Sequence, residues 1–178
     1  MRSHAERNYR RILAAATAAF AESGPDASLN EIAKRAGVGP GTLYRHFANR
    51  QTLQLAVLRE RVEALCERGE ELLSEPDADT ALEQWLRALL QHTHADKGLG
   101  AAALTGPLGH DFECRAAIGR TATQLLTRAQ TQGTARGDTS ADDLIQLVAG
   151  IGLAAADSAD SDRSGRLLRI VVDGLFAR

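Results

Sequence analysis

The sequence predicts an all-α chain of about nine helices, with an N-terminal three-helix domain at 1–48 and a longer helical domain at 49–178. Three observations carry that reading. Apolar residues recur at three- and four-residue spacings through most of the chain. Capping signals stand ahead of several such runs, at Ser28 and Glu31, Thr80 and Glu83, and Ser140 and Asp143. No stretch alternates with the period of two that a half-buried strand needs, and no internal repeat recurs.

In chain order, a first helix is expected over 7–23, with Ile12, Ala16, Ala19, Phe20 and Ser23 as its inward stripe and Gly24-Pro25 as its stop. Ser28 opens a second, in which Leu29, Ile32, Ala33 and Ala36 share one face and Lys34 and Arg35 the other. Gly37-Val38-Gly39 ends it, because glycine accepts the left-handed backbone of a sharp turn. Pro40 starts a third helix, where its missing N–H is no loss. Leu43 and Phe47 form its apolar side, leaving Thr42, Tyr44, Arg45 and His46 on the others. Asn49 caps a long fourth helix to about Leu73, and Ser74-Glu75-Pro76-Asp77 breaks the chain. A fifth runs from Thr80 to about His94 with Leu82, Leu86, Leu89 and Leu90 inward and Trp85 beside them. The Gly/Ala-rich run 98–109 reads as a short or irregular helix, followed by helices at 111–132, 140–157 and 162–177.

Two short helices around a glycine turn, the second with polar sides, make a helix–turn–helix able to enter a major groove. The run Gly41-Thr42-Leu43-Tyr44-Arg45-His46-Phe47, followed by Asn49-Arg50 and a long helix, resembles the DNA-binding segment of the TetR family of transcriptional regulators. The resemblance is motif-specific over about residues 7–60 and rests on length and helical pattern beyond them. It implies a DNA-binding regulator, a repressor released from a palindromic operator by a small-molecule effector, built as a homodimer with a C-terminal regulatory and dimerisation domain. Transferred by position, it places DNA contacts at Ser28, Asn30, Gly39, Pro40, Gly41, Thr42, Tyr44, Arg45, His46 and Arg50. Arg50 stands where a lysine is more common; either cation serves a phosphate, and arginine can bind it bidentately. Chemically, Ser28, Tyr44, His46 and Arg50 suit phosphate oxygens, whereas Asn30, Thr42 and Arg45 suit base edges.

The charge distribution agrees. Net charge is −2, yet residues 1–60 hold nine Lys/Arg against five Asp/Glu, a balance of +4, and the remainder carries −6. A basic head on an acidic body is what phosphate binding through one end requires. Arg10 and Arg11 lie outside the first helix's stripe, within reach of phosphate or simply solvated. No apolar run approaches the ~18 residues of a membrane span, and the charged N-terminus lacks a secretory signal. The expected compartment is the cytoplasm, where Cys66 and Cys114 stay reduced.

In the body, Trp85, Leu89, Leu104, Phe112 and Leu126 are candidate lining residues of a ligand cavity between helices, with plain core as the alternative for each. In the resemblance the last two helices pair with a twin. Leu144, Val148, Ile151 and Ala155, with Leu167, Val171 and Leu175, are the expected dimer seam, the alternative being closure of the monomer's own core. Small residues, Gly150 and Gly152 among them, would allow close helix approach there. His92 and His94 form H-x-H, but residues two apart on a helix diverge, and the pair with His110, Asp111 and Cys114 lacks metal-ligand spacing, so no metal or cofactor is expected. His92 and His94 read as polar residues at a helix end, and both cysteines as inert. No nucleophile elbow, phosphate loop or dinucleotide fingerprint occurs, so the chain does not read as an enzyme. The competing classes are a helical ligand-binding or interaction module without DNA binding and, less favoured, a small helical enzyme.

Overall fold

The computed structural model describes residues 2–94, 112–155 and 162–176. Among them are eight helices and no strand: α1 (Arg2–Ser23), α2 (Leu29–Arg35), α3 (Pro40–His46), α4 (Arg50–Leu72), α5 (Ala78–His94), α6 (Phe112–Thr131), α7 (Ala141–Ala155) and α8 (Arg163–Leu175). The short helix expected at 98–109, with Leu104, His110 and Asp111, lies outside the described residues, as does the side chain of Phe112. The chain divides into two compact units, Met1–Glu60 and Arg61–Arg178.

The first unit closes on one apolar cluster in which Ile12, Ala16, Phe20, Ile32, Leu43, Phe47, Leu53 and Val57 are buried. The inward stripe expected for α1 is there except at its last position, since Ser23 ends the helix exposed. Local chemistry sets the boundaries. Gly24 takes φ 79° and stops α1. The Ser28 hydroxyl accepts the Glu31 N–H at 3.5 Å at the head of α2, and the Asn49 carboxamide accepts the Thr52 N–H at 2.9 Å at the head of α4.

The second unit is built around α5, which packs against α6, α7 and α8. Ala81, Leu82, Trp85, Leu86 and Leu89 are all fully buried on it. The Trp85 indole N–H donates to the Leu65 carbonyl of α4 at 3.2 Å, so the largest core side chain leaves no polar atom stranded. α5 starts two residues before the expected Thr80. Asp77 is the cap, its carboxylate accepting the Thr80 N–H at 3.3 Å and the Thr80 hydroxyl, and these bonds hold it below the usual carboxylate range. Glu83 pairs instead with Arg87, one turn on. The box at Ser140 and Asp143 is reciprocal, with Asp143 accepting the Ser140 N–H at 2.9 Å and Ser140 the Asp143 N–H at 3.2 Å. Gly152 brings α7 against α5, for a Cβ there would lie 2.3 Å from Thr93 Oγ1.

The residues expected at a seam between copies divide into two groups. Leu144, Val148 and Leu175 are 1%, 0% and 3% exposed, and Ile151 is buried. Those side chains fill the protomer's own core. Ala155, Leu167 and Val171 are half-buried at its edge. Among the described residues, the large apolar side chains exposed on α7 and α8 are Leu147, Leu153 and Ile170, the last 67% exposed. A shallow groove of about 600 Å³ crosses it, lined by Gln146, Leu147, Gly150, Ile151, Ala154 and Leu167 among others.

Candidate nucleic-acid interface

The candidate interface is the outward face of α2 and α3. Their inner faces are fixed by Ile32, Ala33, Leu43 and Phe47, all buried, so the remaining side chains must point away. Between them Gly37 takes φ +63°, and a Cβ there would also fall 2.2 Å from Nη2 of Arg11. The turn therefore needs glycine for its backbone, while the Arg11 tip could swing aside. Arg11 Nη2 donates to the Gly37 carbonyl at 3.4 Å. Glu22 of α1 takes two hydrogen bonds from Arg35 of α2, at 3.0 and 2.8 Å, which hold the Glu22 carboxyl below its usual range.

Ser28, Asn30, Gly39, Pro40, Gly41, Tyr44 and Arg45 are exposed, and Thr42, His46 and Arg50 half-buried. Gly39 precedes α3 and Pro40 is its first residue. A Cβ on Gly39 or Gly41 would meet nothing within 4 Å, so the start of α3 is open to close approach. Tyr44 is 50% exposed. Arg45 lies back along its own helix, with Nε donating to the Gly41 carbonyl and Nη2 to the Thr42 hydroxyl, each at 3.3 Å. These two bonds hold its fork over the helix surface beside Thr42.

The contacts of Arg50 were not visible in the sequence. Its Nη1 donates to the carbonyls of Pro25, at 3.2 Å, and Ala27, and Gln54 Nε2 reaches the same Pro25 oxygen at 2.8 Å. The guanidinium thus ties α4 to the loop before α2. Sequence reasoning also missed Tyr9, whose ring stacks on Phe47 at 5.2 Å and meets His46 edge-on at 6.1 Å. Next to Tyr9 in α1, Arg10 is paired with Glu6, one turn back, at 2.7 Å. Of the candidate cavity residues, Trp85, Leu89 and Leu126 are buried within the second unit.

Comparison with known proteins covers both parts of the chain. The family described as bacterial regulatory proteins, tetR family, matches residues 12–57, and the family described as transcriptional regulator SbtR-like, C-terminal domain, matches residues 77–177. A fatty acid metabolism regulator protein of Bacillus subtilis is 37% identical over 68 residues, 38% of this chain and 35% of its own length. The chain thus spans about a third of the length of the curated relatives it matches. A TetR transcriptional regulator from Streptomyces coelicolor superposes with TM-score 0.75 and 37% identity over 94% of this chain and 98% of its own. A TetR transcription regulatory protein from Mycobacterium vanbaalenii does so with TM-score 0.72 and 32% identity over 98% of each chain.

Proposed function

The chain belongs to the TetR family of bacterial regulatory proteins, and we propose that it is a DNA-binding transcriptional regulator, a repressor that a small-molecule effector releases from a palindromic operator. The observation that carries the reading is the outward face of α3. Tyr44 stands exposed and Arg45 lies along the outer surface of a helix whose other side is locked by Leu43 and Phe47, and a Cβ at Gly39 or Gly41 would meet nothing within 4 Å. Ser28, Tyr44, His46 and Arg50 position the head on phosphates. Asn30, Thr42 and Arg45 face base edges, and Gly39, Pro40 and Gly41 allow the close approach.

A homodimer presents two such faces to half-sites about 34–36 Å apart, or a multiple of that. Its partner surface is the outward side of α7 and α8, with Leu147, Leu153 and Ile170 exposed on it. An effector that prefers one state of the body must weaken DNA binding by the same coupling factor. α4, which contributes residues to both compact units, is the element along which that preference passes. Trp85, Leu89, Leu104, Phe112 and Leu126 remain the residues proposed to surround the effector. The B. subtilis match covers 68 residues of this chain and assigns no effector.

Footprinting of the full chain on the DNA upstream of its own gene tests the reading. Two protected, symmetry-related half-sites about one helical turn apart support it. Protection that is absent, or that spreads evenly over unrelated DNA, refutes it.

A further inference from the structure

The core of the second unit holds a buried polar group with no partner among the described residues. His92 continues the α5 face that carries Trp85 and Leu89, four and then three residues on, and is 6% exposed. Its Nδ1 lies 3.4 Å from Nη2 of Arg61 on α4, and the same guanidinium donates to the His92 carbonyl. A guanidinium only donates, so Nδ1 must be the accepting nitrogen of the ring. Burial and the Arg61 charge push the imidazole down to about 3, so at neutral pH it carries a single proton. That proton is therefore on Nε2. Nε2 is buried and meets no acceptor among the described residues, and the same holds for Nε2 of His94 two residues on.

A buried donor without an acceptor destabilises a fold, and a leucine would fill the same place without that penalty. The Trp85 N–H on the same face, by contrast, is satisfied by Leu65. We propose that the Nε2–H of His92 holds an oxygen acceptor of the effector, an apolar small molecule ending in a carboxylate or carbonyl, beside Arg61 at the end of α5. The assignment rests on reading the second unit as an effector domain, and it names the chemistry that unit selects. The apolar part lies along the Trp85–Leu89 side, and the cation of Arg61 favours an acceptor bearing negative charge. Because Arg61 also donates to the His92 carbonyl, occupancy of His92 acts on a side chain that joins α4 to that helix end.

The test uses the full-length, ¹⁵N-labelled chain and three probes of one chain length: octanoate, 2-octanone and octylamine. His92 Nε2 is assigned by its loss in His92→Gln, and its resonance is followed during each titration. The expected result is a saturable shift with octanoate, a weaker one with 2-octanone and none with octylamine. His92→Leu should bind octanoate at least tenfold more weakly, while His92→Gln, which keeps an N–H donor, stays within about threefold. A thermal melt checks that each variant folds; should His92→Leu not fold, the wild-type titrations and His92→Gln decide. An Nε2 resonance that none of the probes moves, as for a donor bound to a trapped water, overturns the proposal, and so does equal binding of the amine. Gel shift of the unliganded wild-type chain on its upstream DNA tests the regulator reading separately, so failure of either is told from failure of the other.

Discussion

Arg50 shows how one side chain can answer to two demands. Sequence position gives it to DNA, yet in the fold its Nη1 holds the carbonyls of Pro25 and Ala27. Removing it strands the Ala27 carbonyl at the entry to α2 and leaves Pro25 to Gln54 alone, so Arg50→Ala should lower the stability of the first unit by about 1–3 kcal/mol as well as weaken DNA binding. Arg50→Lys restores the charge without the fork. It should recover the salt dependence of DNA binding but only part of the melting temperature, and melts beside DNA titrations separate the two roles. His92 makes a second prediction. Its folded-state value near 3 lies below the ordinary 6.5, so the unfolded chain takes up a proton that the folded one refuses. Stability is then full above pH 6.5 and falls as pH drops toward 3, by at most about 1.4 kcal/mol per pH unit. Denaturant titrations between pH 7 and 4 should show that slope flatten in His92→Gln. An unchanged slope would place the titration elsewhere. The sequence could not signal this residue, because a histidine at a helix end reads as polar surface until α4 is known to cover it.

At the scale of single helices, the legible features were those settled within a few residues. Ser28, Asn49 and the Ser140–Asp143 box cap the helices they precede, because a cap depends on groups three positions away. Even there neighbours compete. Asp77 displaced Thr80 as the cap of α5, a carboxylate being the stronger acceptor for N–H groups at a helix start. The faces of α7 and α8 were less legible, since both are apolar over so wide an arc that periodicity alone cannot say which stripe meets α5. The structure gives Leu144 and Val148 to the core and leaves Leu147 outward. Gly152 records how close that packing is. Gly152→Ala should destabilise the chain by about 1–3 kcal/mol through overpacking against Thr93. Gly119→Ala, in the middle of α6 with nothing within 4 Å, should stabilise it by up to about 1 kcal/mol from helix propensity alone. Thermal melts of the two variants should therefore move in opposite directions.

For the whole molecule, family membership and the apolar surface of α7 and α8 lead to the same expectation of a twin. Ile170 on α8 is 67% exposed. Ile170→Glu should thus leave helicity intact and remove the concentration dependence of melting while converting a dimer to a monomer in sedimentation, with loss of two-site DNA binding. What the sequence could not disclose at this scale is the effector, because a ligand's chemistry is written in side chains brought together from separate helices, as with Arg61 and His92. The measurement that bears most directly on the account is the affinity of the full chain for its own upstream DNA, followed against salt concentration beside a shuffled duplex. The account predicts tighter binding to the upstream sequence and a log–log slope of about −0.9 for each phosphate neutralised. Equal affinity for both duplexes, or a slope near zero, would contradict it.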